Sequence, residues 1–186
     1  GRIHLDLLKA EAVDDLYVFT SKISSGEVEE NFEIVSFHAT GLGDQAAMEL
    51  VPQGMFKAFI DLVPGAFSEY LLGGNRGISG PGRLDIASEM LIPYIFCPGG
   101  FDIISCGPIE RKDKPDPLWT SRKLAERKLY VQESPRVQAR LSAEEMSFIA
   151  TAAAERLNGY THKKRVKIVI PRRGFSSLSA EGCPLY

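Results

Sequence analysis

Four short apolar runs, each broken off by polar or Gly/Pro-rich residues, set the rhythm of this chain. They are Phe32-Glu-Ile-Val-Ser-Phe37, Lys57-Ala-Phe-Ile-Asp-Leu-Val63, Pro93-Tyr-Ile-Phe-Cys97 and Val166-Lys-Ile-Val-Ile170. Their length and their β-branched and aromatic content predict strands. Helical spacing lies between them. Asp44 to Val51 predicts a helix that stops near Pro52 and Gly54, Phe67 to Leu72 a shorter one, and Arg83 to Met90 a third. Ser142-Ala-Glu-Glu145 has the form of a capping box, in which the Ser hydroxyl and the Glu carboxylate satisfy each other's backbone amides; it opens an amphipathic helix to Asn158. Two stretches stand apart. Leu8, Ala12, Leu16, Phe19 and Ile23 recur at helical spacing with no strand before them, and Ile109 to Lys123, with Pro115, Pro117 and Trp119, predicts a loop or flap.

Strands alternating with helices imply βαβ units. The expected fold is α/β: three layers, a mainly parallel sheet with helices on both faces, Rossmann-like or flavodoxin-like. The expected organisation is a helical segment over residues 1–31 and an α/β domain over 32–186. In such a sheet the loops leaving the carboxyl ends of the strands open on one edge, where ligands bind.

Composition narrows the classes. With 22 basic and 24 acidic residues among 186, the net charge of −2 lacks the basic field that a general nucleic-acid or membrane-surface binder uses. The 44% apolar content fits a packed core and excludes disorder as the main state. No run approaches the roughly 18 apolar residues of a spanning helix, and no basic-then-apolar leader opens the sequence. Three cysteines without CxxC spacing suit a reducing cytoplasm better than a disulfide framework.

The loops carry the candidate chemistry. In His38-Ala-Thr-Gly-Leu-Gly43, Gly41 and Gly43 let a ligand approach the backbone, Thr40 supplies a hydroxyl and the next helix turns its amides to an anion; the competing reading is a capped tight turn. Pro98-Gly-Gly-Phe-Asp102 sets Gly99, Gly100 and a carboxylate just past a strand. Asp102 is a base, a metal ligand or a cap for Ile103 to Cys106. Asp61 is an odd charge in an apolar strand, so a cluster of Asp61, Asp102 and His38 is one expectation and a carboxylate on a loop amide the other. Asn75 and Arg76 in one Gly-rich loop, and Arg172, Arg173 and Ser176 in another, suit a carboxylate or phosphate, against the alternative of solvated loop arginines. Lys114 to Arg127 and Arg136 to Arg140, with Trp119 and Tyr130 interleaved, read as a flap over an acidic ligand or a subunit contact rather than a nucleic-acid surface. Cys106 has no neighbouring histidine and reads as a buried thiol before a nucleophile. Histidines at positions 4, 38 and 162 are too scattered for a metal site.

Phe37-His-Ala-Thr-Gly41, Gly99 to Pro108 (Gly-Gly-Phe-Asp-Ile-Ile-Ser-Cys-Gly-Pro) and Gly174-Phe-Ser-Ser-Leu-Ser179 stand in an order and spacing that resemble the C-terminal half of a bacterial and fungal family related to the tomato mosaic virus resistance protein. Asp116 to Lys128 and Arg136 to Arg140 extend the resemblance. It implies a two-domain α/β protein, cytoplasmic and oligomeric, with a nucleotide-binding N-terminal half outside this chain, so that ATP enters through the other domain. The family supplies no catalytic residues to carry over. Two functional expectations follow: a domain that binds a nucleotide or another small anion together with a partner domain or subunit, or a hydrolase or lyase on a small carboxylate or phosphate, with His38 or Asp102 moving the proton and Arg76 or Arg172 holding the substrate.

Overall fold

The computed structural model describes residues 35–39, 41–133 and 135–186. Its elements run α1 (Gly41–Leu50), β1 (Phe59–Asp61), α2 (Gly65–Leu72), β2 (Tyr94–Phe96), β3 (Ile103–Gly107), α3 (Pro117–Ser121), β4 (Leu129–Glu133), β5 (Arg136–Arg140), α4 (Ala143–Asn158) and β6 (Val166–Ile168), with short 3-10 turns between. Strands β1, β2 and β6 form a parallel sheet with β2 in the middle. A second sheet is antiparallel, in the order β3-β5-β4.

The α/β architecture and the parallel pairing agree with the sequence pattern, and three of its four expected strands appear at the expected places. Of Phe32–Phe37, residues 35–37 are described and carry no ladder. The segment 1–31 and its helical spacing lie outside the described residues, as does Thr40. The antiparallel sheet is the departure. Ile103 to Cys106, expected as a short capped segment, is the fully buried strand β3. Its partner β5 alternates, with Val137 and Ala139 buried and Arg136 exposed, the pattern of a strand with one face on the core.

One hydrophobic core serves both sheets. Phe96 of β2, Ile104 of β3 and Val137 of β5 belong to it, with Ile149, Ala153 and Leu157 of α4 completing a stripe four residues apart. The capping box forms as the sequence predicts: the Glu145 amide donates to Ser142 Oγ at 3.2 Å, and the Ser142 amide to Glu145 Oε2 at 3.0 Å.

Two other expectations need correcting. Arg83 to Met90 is not a helix; a 3-10 turn at Pro81–Leu84 gives way to successive turns, and this irregular path carries Arg83 into the interior. The stretch Ile109 to Lys123 is no loose flap, because Trp119 is buried and its indole N–H donates to the Cys106 carbonyl at 2.9 Å. Asp116 caps α3 by accepting from the amides of Leu118 and Trp119.

Candidate functional site

The carboxyl ends of the parallel strands lead into turns that touch one another. After β2, the Gly100 amide donates to the Phe175 carbonyl of the turn that follows β6, at 2.7 Å. Gly99 packs so closely on the turn after β1 that a Cβ there would stand 2.3 Å from the Leu62 carbonyl oxygen, which leaves room for glycine alone. Gly65, opening α2, faces the carbonyls of Gly99 and Gly100.

Asp102 ends this turn and is fully buried. Its Oδ2 accepts from Arg140 Nη1 at 2.5 Å and from Ser176 Oγ at 3.1 Å. Its backbone carbonyl accepts from the Leu141 amide at 3.0 Å. Oδ1 is buried without a hydrogen-bond partner among the described residues. One carboxylate thus joins the parallel sheet's turn, the end of the antiparallel hairpin and the turn after β6. Arg140 is 34% exposed in its side chain, so a buried anion fixes one edge of the guanidinium while the rest reaches the surface. Ser176 is itself fixed, its amide donating to Ser179 Oγ at 3.2 Å. The arrangement can offer an oxyanion the remaining donors of an arginine, while the single Ser176 hydroxyl proton is spent on Asp102.

Asp102 therefore pairs with Arg140 and Ser176 instead of capping the segment Ile103 to Cys106 or joining a cluster with Asp61. Asp61 serves a different centre. Arg83 donates from Nη1 and Nη2 to the two oxygens of Asp61 at 2.7 and 2.8 Å, and from Nε to Asp44 Oδ1 at 2.6 Å. Tyr94 adds its hydroxyl to Asp61 Oδ2 at 2.9 Å. Burial raises the Asp44 carboxyl above the ordinary carboxylate range against the pull of Arg83. Burial, with Asp61 beside it, raises the Tyr94 phenol as well. This centre is closed and satisfied, and it ties α1 to the end of β1.

Arg76 also has a fixed partner. Its Nε and Nη2 donate to Glu69 Oε1 at 3.3 and 3.2 Å, and the Ser105 amide donates to the same oxygen at 2.8 Å. Burial pushes the Glu69 carboxyl up, opposed by Arg76 and Ser105. The Asn75 amide donates to the Ser105 carbonyl, so this loop is stitched to β3. His38 is exposed, and Gly43 packs against its backbone so tightly that a Cβ would meet the His38 carbonyl at 1.8 Å. Gly41 opens α1 beside Ile78. Arg172 and Arg173 are exposed on the turn after β6. Of the sequence candidates, then, Gly99, Gly100, Asp102 and Ser176 meet in one place, whereas Asn75 and Arg76 belong to the far end of α2. Burial pushes the Cys106 thiol up to about 12, which removes thiolate chemistry at neutral pH.

Arg140, Arg83 and Glu69 were missed. The signal for Arg140 is the alternation of Arg136-Val-Gln-Ala-Arg140, which predicts a strand ending in a cation.

With this geometry in hand, comparison with known proteins places the chain. Residues 20–186 match the model of an uncharacterised protein family (UPF0261), C-terminal domain. The chain belongs to the UPF0261 family. It is 32% identical over 155 residues to a UPF0261 protein of Clostridium tetani, covering 83% of this chain and 36% of the relative. It is 30% identical over 159 residues to the ToMV resistance protein Tm-1(GCR237) of Solanum lycopersicum, covering 86% of this chain and 20% of that protein. A UPF0261 protein of Mesorhizobium japonicum is 26% identical, with 81% and 35% covered. The chain thus spans about a third of the bacterial relatives and a fifth of the tomato protein. Among the described residues no helix is long and apolar enough to cross a membrane, and no group of His, Cys, Asp and Glu could hold a metal ion.

Proposed function

We propose that this UPF0261 domain holds the phosphate or carboxylate group of a small ligand at the carboxyl edge of its parallel sheet, as one wall of a site that the rest of a longer protein completes. The observation that carries the reading is the fully buried Asp102, whose Oδ2 orients both Arg140 and Ser176. A buried aspartate paired with a half-exposed arginine leaves the cation aimed outward. The Gly99–Gly100 turn beside it packs on the turns after β1 and β6 and so fixes where Asp102 stands. A nucleotide qualifies through its phosphates. A second wall is supported by the relatives' length, about three times the matched segment in the bacterial proteins. Binding is favoured over hydrolase or lyase chemistry because Asp102 is committed to Arg140 and Ser176 and is not a free base.

Calorimetric titration of the full-length protein with ATP and with inorganic phosphate tests this, using wild type, Arg140→Gln and Ser176→Ala. Loss of a charge-assisted contact in Arg140→Gln should weaken the binding ligand by about tenfold or more. Wild-type affinity in both variants would remove this edge from the site.

A further inference from the structure

The parallel sheet has an open side. Among the described residues β6 pairs with β2 and has no neighbour beyond it. The Val169 amide donates to the Phe96 carbonyl at 2.9 Å, and Phe96 lies opposite Ile168. In a parallel ladder this turns the N–H and C=O groups of Val166, Ile168 and Ile170 away from β2. The side chains of Ile168 and Ile170 share one face by the period of two, and each is 56% exposed. Backbone groups and apolar side chains on the same short edge are what an added strand would use.

Charge decides what kind of strand. Lys163, Lys164 and Arg165 form the turn that enters β6, and Lys167 lies within it; all four are exposed, and none forms an ion pair with a described residue. A shallow depression of about 360 Å³ is lined by Thr161 to Arg165 at the head of the strand. Lysines on a sheet edge deter pairing with a like copy, because two such edges would set cation against cation. The same lysines admit a strand of opposite sign.

We propose that the outer edge of β6 is a docking site for an extended acidic segment of a partner protein, which adds a strand to the parallel sheet. The backbone of Ile168 and Ile170 supplies the pairing, their side chains the apolar contact, and Lys163, Lys164, Arg165 and Lys167 the sign selection. The proposal uses none of the Asp102–Arg140 contacts and stands or falls without them.

The test is amide hydrogen exchange of the full-length protein, alone and with two short synthetic peptides, one alternating glutamate with valine and one alternating lysine with valine. The expected result is slowed exchange at Ile168 and Ile170 with the glutamate peptide, and none with the lysine peptide. The Lys163→Glu/Lys164→Glu/Lys167→Glu variant, which changes exposed side chains only, should bind the glutamate peptide about tenfold more weakly. Equal protection by both peptides, protection by neither, or protection that grows with protein concentration and no peptide would each overturn the proposal, the last by making a second copy the occupant.

Discussion

Arg83 and Arg140 each meet a buried aspartate, yet the two centres are built to opposite ends. Around Arg83 everything is inside: its side chain is 5% exposed, Asp61 and Asp44 are 3% and 4%, and three of its donors are taken by carboxylate oxygens. Around Arg140 the anion is inside and the cation is not, with Asp102 at 0% and Arg140 at 34%. The first arrangement closes on itself and fixes α1 against β1. The second fixes one side of a guanidinium and leaves the other to solvent. These two aspartate centres differ in whether the arginine reaches the surface, and the same substitutions made at both should separate their roles.

The largest effect belongs to the closed centre. Arg83→Met should cost about 3–5 kcal/mol in urea unfolding, because it leaves two carboxylates buried without their cation. The deficit should narrow on acidification. Asp44 already has a raised pKa from burial and loses the guanidinium that held it down, so the folded variant binds protons more readily than the unfolded chain and gains stability as pH falls. A deficit independent of pH would mean that lost packing, not charge, is the cause.

Next comes the turn that builds the open centre. Gly99→Ala puts a Cβ within 2.3 Å of a backbone carbonyl, which must move the turn after β1 or the one after β2. Strain of that kind costs about 1–3 kcal/mol. It should also shift the NMR signals of Ser176 and Arg140, which depend on this turn; an unshifted spectrum with full stability would show the turn to be slack.

A third, smaller effect lies outside both centres and calibrates them. Glu145 is partly buried, which opposes its charge, but hydrogen bonds from Arg127, the Ser142 amide and Arg122 hold its carboxyl down to about 2. A depressed acid stabilises the fold above its unfolded value near 4.5 and loses that contribution as pH falls toward 2. Glu145→Gln should therefore cost about 1–2 kcal/mol at neutral pH, discounted for the solvent access of its arginines, and the gap from wild type should close between pH 4.5 and 2. Parallel unfolding curves at several pH values check it.

How much of this was legible beforehand differs between the two sheets. The middle parallel strand was visible because a strand buried on both faces writes a continuous apolar run with a glycine stop, as Tyr94 to Cys97 followed by Pro98-Gly-Gly100 does. The capping box of α4 was visible because it is local. The antiparallel hairpin was not, since Arg136 to Arg140 exposes one face and its buried apolar half is only Val137 and Ala139. Asp61 could be recognised as an unusual charge, but its partner Arg83 lies 22 residues on, in a segment whose spacing imitates a helix. Gly99, Gly100, Asp102 and Ser176 come together where the turns after β1, β2 and β6 meet. Which arginine served it depended on tertiary pairing, and Arg140 comes from 38 residues away.

Replacement of arginine by lysine gives the finest separation of the two centres. Lysine keeps the charge and gives up the planar fork. At position 83 the fork is in full use, bidentate on Asp61 with Nε on Asp44, so Arg83→Lys leaves buried carboxylate oxygens unmatched and should cost about 2–3 kcal/mol. At position 140 a single Nη1 contact holds Asp102, and an ammonium can replace it with water covering the remainder. Arg140→Lys should therefore change stability by no more than about 0.5 kcal/mol. Its effect should appear instead in ligand affinity, because a point charge cannot grip an oxyanion with two parallel donors while it also holds Asp102. Unfolding curves that barely move, together with weaker phosphate or ATP binding by the full-length protein, would mark the exposed side of the guanidinium as the working surface. Equal stability losses at positions 83 and 140 would instead make Arg140 a second scaffold arginine, and the distinction between a closed and an open centre would no longer hold.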